Sequence, residues 1–488
     1  MQSYKIKNTE LNLNPVFSIY TKYFIVPQIS IMVSFGIFLS FLTGFVTVNL
    51  ISLKFSLIEK LGLSFPIGIA LQTLLMLLMD AVGIPLTRVS ILVASVLLIL
   101  SLSFPMIFRR KELVQEIRKP VSFDFSSFNL VWLLFVLLII ILEYMNFSRC
   151  VYFPTYDRDS LSGFDTIGYI ISQEHTLKGL SIFQGDYMPS IHRPGSYITY
   201  TPMVQLSYAY VYLLGAPMSK LIPGLMYLFF LIAFYAVLCR VVNRTGAVIA
   251  TFFMLITPDM LGFSSLSGTN VIHAVTASLG VIYLAVWFRY RERKDLYLAS
   301  LLLALNIWTR TEGIVFIGAA LCVVGYDSFR RKQYKDLLPV LLSLSPALLW
   351  SLFMKLNGLY AEGIAIVRLF WDGEKVETIY NYMKNLYVNN YYYGWSFSAA
   401  LLSLLVNIRN VIKTRDNLRL LSMILLASLF YVIILYQIDY KWDTIENVLA
   451  YSAKRFLFCF VPCVWFFTVT NKIVMTGFDK LEKYLALR

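Results

Sequence analysis

Charge is scarce in this sequence: only 14% of its 488 residues are Asp, Glu, Lys or Arg, where an ordinary soluble domain carries about 25%. No polar stretch is long enough to supply a soluble domain of any size. The five cysteines show neither a CxxC pair nor a Cys/His metal spacing, which argues against a disulfide framework and a zinc site. Cys459 and Cys463 stand one helical turn apart, as small packing residues within an apolar run. Histidine occurs three times, as His175, His192 and His273. No cleavable signal peptide is expected. The first apolar run starts near Val26, is too long for an h-region and leads straight into further runs.

What is abundant is apolar length. Hydrophobic residues make up 58% of the chain, and its mean hydropathy is +0.69. They come in runs of roughly 16 to 22 residues, the length that a bilayer core demands. With no water to satisfy backbone groups there, such runs must be helices. The expected fold class is therefore all-α, a polytopic transmembrane helical bundle of about 12–13 spans. Residues 1–120 read as an N-terminal transmembrane segment and 121–488 as a second transmembrane module. Candidate spans are 30–50, 64–83, 88–107, 130–147, 223–239, 246–261, 271–288, 296–309, 312–325, 337–353, 396–411, 419–436 and 456–471. The stretch 199–216 is apolar enough to compete. A net charge of +14 would suit nucleic acid in a soluble protein. In a membrane protein Lys and Arg gather in cytoplasmic loops and meet anionic lipid instead, so membrane lipid is the expected partner and nucleic acid is not.

The positive-inside rule settles the competing stretch. The strongest basic patches are Arg109 to Lys111 with Arg118 and Lys119, Arg289 to Lys294, Arg330 to Lys332 with Lys335, and Arg409 to Arg419. All four are expected on the cytoplasmic side. Between the first and the second the chain must then cross an even number of times, which leaves 199–216 out. That stretch is expected along the outer face or re-entering it, and its Pro202, Ser207 and four tyrosines suit an interfacial aromatic belt. Arg240, Arg244 and the tail with Lys472, Lys480 and Lys483 fall inside. Residues 1–25 fall outside, despite Lys5, Lys7 and Lys22. Segments 148–222, 354–395 and 437–455 become long outer loops, where function concentrates.

These loops collect the chemistry. The first holds Asp157, Asp159, Asp165, Glu174, Asp186, His175 and His192, while Asp259 and His273 flank the short connection at 262–270. The turn Trp308-Thr309-Arg310-Thr311-Glu312-Gly313 and the return Ser452-Ala453-Lys454-Arg455-Phe456 bring an acid and three cations to the same level. Charge near lipid depth is costly and usually functional. Each member also has a plainer reading. Lys454 and Arg455 suit snorkelling anchors, and Arg310 with Glu312 suits a pair that closes a tight turn. Within the spans, Asp80 reads as a helix-packing polar group and Glu143 lies near the outer end of its span.

The stretch from Phe164-Asp165-Thr166-Ile167-Gly168-Tyr169 through Glu174, Leu177 and Gly179, followed by Tyr200-Thr201-Pro202-Met203 and Tyr212-Leu213-Leu214-Gly215, resembles a known loop. It is similar to the first outer loop of GT-C membrane glycosyltransferases, in the aminoarabinose-transferase and protein O-mannosyltransferase branch. The resemblance covers about residues 130–470, with short and degenerate motifs. The family's second acid is Thr166 here, the first Pro of its Pro-Pro is Thr201, and three spans precede its usual first helix. The resemblance implies a GT-C-like module whose outer loop forms surface helices. It implies transfer of a sugar from a polyprenyl-phosphate donor to a glycan, lipid or protein acceptor, at the outer face of a bacterial-type inner membrane. Asp165 would be the base, with Asp157 and Asp159 as nearest alternatives. Arg455, Lys454 and Arg310 would face the departing phosphate, with Glu312, Tyr169, His192 and Arg193 completing the substrate site. No cofactor is indicated, and a divalent metal stays open. The rivals are an O-antigen polymerase or ligase, which would place paired arginines in two large outer loops, and a lipid-linked transporter or flippase, which would show inverted repeats and midplane charges.

Overall fold

The computed structural model describes residues 30–118, 129–183, 197, 200–359, 365–367, 370–440 and 444–486. The early helices begin where side chains can satisfy their free N–H groups. Ser30 accepts from the Val33 amide, Ser56 and Glu59 form a capping box, and Thr87 and Ser90 form another. Among the described residues, ten helices are long and apolar enough to cross a bilayer. They are Ile31–Ile51, Leu57–Ala81, Arg88–Phe108, Leu130–Tyr152, Leu221–Leu238, Asn270–Tyr290, Thr311–Arg331, Tyr334–Leu356, Asn417–Gln437 and Ile445–Thr470. The protein is thus a multi-pass membrane helical bundle. The departure from all-helical structure is small: Ala365–Val367 pairs antiparallel with Ile438–Tyr440.

Polar contacts define two ends. At one, Arg109 donates to the Leu50 carbonyl, and Arg240 forks onto Asp295 at 2.6 and 2.8 Å and reaches Glu59 at 3.4 Å. There Asn129 meets Thr245, Asn243 meets Asp479, and Arg291, Arg331 and Arg419 all reach Asp327. The described residues of all four basic patches of the sequence lie at this basic end. At the opposite, loop end, Ser30 and Arg88 donate to the Leu214 and Leu213 carbonyls. Asp80 accepts from Thr176 and the Lys178 amide, Thr201 donates to the Ile307 carbonyl, and Tyr393 to that of Lys454. The shorter helices Arg244–Leu255, Arg293–Thr309 and Ser396–Lys413 also run between these ends. With the ten longer helices they make thirteen segments, among the described residues, that lead from one end to the other, beginning at the loop end with Ile31.

The described part of the stretch 199–216, residues 200–216, does not connect the ends. Its helix, Met203–Leu213, has 11 residues, but Arg244–Leu255 has only 12 and does run between the ends, so the deciding point is where the flanks lie. Both flanks sit at the loop end. The expectation of an interfacial belt is corrected, however: Tyr208 and Tyr210 are fully buried, donating to the Gly268 and Gly36 carbonyls at 3.1 and 2.8 Å. A tyrosine whose hydroxyl finds a carbonyl can go inside without an unsatisfied polar group.

Close packing supports this arrangement. A Cβ on Gly44 would strike the Ser64 carbonyl, and one on Gly68 the Ser40 carbonyl. Small residues thus let Ile31–Ile51 and Leu57–Ala81 cross backbone to backbone. Asn270–Tyr290 is enclosed on all sides, whereas Arg88–Phe108 and Leu130–Tyr152 turn residues such as Leu97, Leu100, Ile140 and Ile141 outward, as lipid-facing helices do.

Single cysteines at the exposed positions Pro217 and Lys335, in a cysteine-free background, are expected to react with an impermeant maleimide from opposite sides of the membrane. Labelling of both from one side would overturn the count of crossings.

Candidate functional site

Three acids lead off the first long loop, and local geometry separates them. Asp157 accepts from the amide and hydroxyl of Ser160 at 3.2 and 3.0 Å, starting the π-turn Ser160–Phe164 that runs into the helix Asp165–Glu174. Its role there is a cap. Asp165 accepts from the Tyr212 hydroxyl at 2.7 Å, and Tyr169 packs edge-on against Tyr212 at 5.6 Å. The cation near Asp165 is Lys220, whose ammonium burial holds below its usual range and whose Nζ lies 3.4 Å from the Pro154 carbonyl. Asp159 instead forms an ion pair with Arg455, which stands on the short helix Lys454–Leu457.

The turn at 310–313 supplies the second pair. Arg310 forks onto Glu312 through Nε at 3.2 Å and Nη2 at 2.5 Å, and donates to Asn270 Oδ1 at 3.2 Å. Its guanidinium lies 5.7 Å from the Tyr200 ring. Tyr200 stacks with Tyr197 at 5.9 Å. Tyr197 feels the charges of Asp159 and Arg455, and burial raises its phenol. Beneath them, Asn306 Nδ2 donates to the His273 carbonyl at 2.9 Å and lies 2.9 Å from its Nδ1, while the buried Nε2 makes no hydrogen bond among the described residues. Phe456, next to Arg455, stacks on Tyr431 at 3.7 Å and lies 6.3 Å from the His273 ring. Tyr200 beside Arg310 and Tyr197 within reach of the Asp159 and Arg455 charges thus link the two ion pairs.

Lys454 faces another way, with Nζ 5.0 Å from the Tyr392 ring. Its charge reaches Asp259, on the short helix Pro258–Phe263, beyond the end of the crossing helix Arg244–Leu255. Asp259 Oδ2 is buried without a hydrogen bond among the described residues. Burial pushes that carboxyl up to about 6, against the pull of Lys454.

Of the residues expected from the sequence, Asp159, Arg455, Arg310 and Glu312 come together, and Lys454 borders them. Asp165 and Tyr169 form a separate cluster with Tyr212. His192, Arg193 and Asp186 lie outside the described residues. His175 and Glu174 serve the loop itself, contacting the Leu86 carbonyl and Ser181. Among the described residues no group of three or more His, Cys, Asp and Glu side chains could hold a metal ion. Sequence reasoning missed Asn270, which reads as a helix start, and Tyr431, which reads as one more aromatic in a span. No family model, curated protein or solved structure matches this chain.

Asp259 makes stability pH-dependent. Its folded value lies above the ordinary one, so its contribution is full below about pH 4 and is lost as pH rises through about 6. Thermal unfolding in detergent should show Asp259→Asn losing less stability than the parent between about pH 5 and about pH 7.5. Equal losses would mean that another group titrates.

Proposed function

We propose that this protein is a GT-C-type membrane glycosyltransferase. It takes a sugar from a polyprenyl-phosphate donor and passes it to a lipid, glycan or protein acceptor. The loop end is then the outer face of a bacterial inner membrane. One observation carries this reading: two guanidinium–carboxylate pairs, Arg455–Asp159 and Arg310–Glu312, joined by Tyr197 and Tyr200 at one end of an apolar bundle. A lipid-linked sugar has a tail for lipid depth, a phosphate for cations and a sugar face for aromatic rings, all within a few ångströms.

The chemistry follows from competition for one guanidinium. A donor phosphate offers Arg455 two oxygens, in the geometry that its planar fork prefers. As Arg455 turns to the phosphate, the Asp159 carboxylate loses its partner and can take the proton of the attacking acceptor hydroxyl. Negative charge grows on the phosphate as the anomeric bond breaks, and Arg455 then binds it more strongly. The resemblance points to Asp165 for the base, whereas proximity to the cation favours Asp159. An O-antigen polymerase or ligase would use the same phosphate chemistry and differ in its acceptor. A lipid-linked transporter is the second reading, favoured by Glu143, buried in Leu130–Tyr152 with Oε1 lacking a hydrogen bond among the described residues.

The test measures sugar transfer from a polyprenyl-phosphate donor alongside membrane insertion. Arg455→Lys and Arg455→Ala are expected to insert normally and to raise the barrier by about 2–4 kcal/mol. Asp159→Asn should cost roughly 10²–10⁴-fold in rate, with Asp165→Asn much milder. Parental transfer by Arg455→Lys would make Arg455 an anchor and remove the proposed phosphate site.

A further inference from the structure

The basic end is charged beyond what its own acids neutralise. Asp327 Oδ2 accepts from Arg291 at 2.8 Å and Arg331 at 2.7 Å, and Oδ1 from Arg291 at 3.0 Å and Arg419 at 2.6 Å. Four N–H donors use up the acceptor sites of one carboxylate. These three guanidiniums also rest on a ring platform: Arg291 lies 4.8 Å from the Trp287 ring, Arg419 4.8 Å from that of Phe288, and Arg331 5.6 Å from Trp287. The cluster is thus held in place before any ligand arrives.

Beside it, between Thr311–Arg331 and Asn417–Gln437, lies a cavity of about 780 Å³. Four arginines line it, Arg330, Arg331, Arg415 and Arg419, against one carboxylate, Asp327, among the described residues. Arg330 and Arg415 have no carboxylate partner among the described residues. Arg415 also holds a backbone φ of +22°, a conformation that a residue with a Cβ rarely adopts. Val323, Leu418 and Leu426 supply an apolar wall. Snorkelling would let arginines spread into water. Here four arginines line one hollow, where a bound anion would ease their mutual repulsion.

We propose that this cavity binds the headgroup of an anionic phospholipid of the leaflet at the basic end. Its phosphate would sit among Arg330, Arg415 and Arg419, and an acyl chain would lie along Leu418 and Leu426. The volume falls within the range of small-molecule sites, about 300–1,000 Å³. A bilayer lipid is favoured over a soluble anion because the charged rim is continuous with an apolar wall at the ends of two membrane-spanning helices. The site is independent of the transfer reaction proposed for the loop end.

Native mass spectrometry of the detergent-purified full chain tests this, with phosphatidylglycerol and phosphatidylcholine of identical acyl chains. One phosphatidylglycerol is expected to stay bound where phosphatidylcholine does not, and inorganic phosphate should fail to displace it. The double variant Arg330→Gln/Arg415→Gln, which breaks no ion pair among the described residues, should weaken that binding roughly tenfold or more. Leu426→Trp, which fills the wall and keeps every charge, should weaken it as well. Unfolding temperatures of both variants establish that they fold. Equal retention of the two lipids, displacement by phosphate, or parental binding by folded variants would each overturn the proposal.

Discussion

A bilayer core cannot solvate a charge, so an ionised side chain in this chain must reach one of the two ends or carry its partner with it. The pairs at the basic end show what that restriction builds. Arg240 bridges Asp295 and Glu59 from two other helices, and Asp327 gathers Arg291 from the end of Asn270–Tyr290, Arg331 from its own helix and Arg419 from Asn417–Gln437. Each such contact pins the ends of several helices at one level. A helix is a stiff rod of 1.5 Å rise per residue, so a register set at one end is transmitted to the other. Arg310 follows directly on Arg293–Thr309, whose Asp295 is held by Arg240 at the basic end, so its place at the loop end is set from there.

The same restriction decides how much the sequence discloses. Apolar length and the side of each basic patch are local properties, and they suffice for the crossings and for leaving out 199–216. Pairing of side chains is not local. Asp159 and Arg455 are 296 residues apart, and nothing near either one names the other. The motif around Asp165 drew attention because it is contiguous, yet its carboxylate meets Tyr212 rather than the arginines. The tyrosines at 208 and 210 read as interfacial because a phenol suits both an interface and a core with a free carbonyl; only the fold decides between them. The turn Trp308 to Gly313 was readable as a charged closure because its two partners are two residues apart.

The two ion pairs at the loop end look alike in composition but differ in what they leave available. Arg310 uses three nitrogens on Glu312 and Asn270, with side-chain exposures of 13% and 23% for Arg310 and Glu312. It is committed to the turn. Arg455 keeps a buried Nε without a hydrogen bond among the described residues, and its pair with Asp159 is more open, at 23% and 30%. Leaving a guanidinium N–H unmet in a dry place is unfavourable, and a ligand with several acceptor oxygens relieves it. On the proposed reading, a phosphate would gain from Arg455 what the single carboxylate cannot supply, and its arrival would free the Asp159 carboxylate to take a proton. Arg310, already satisfied, then contributes mainly its fixed field and the Tyr200 ring beneath it. Of the cations described at this end, Arg455 is therefore the one whose chemistry would change most if the proposed phosphate ligand entered.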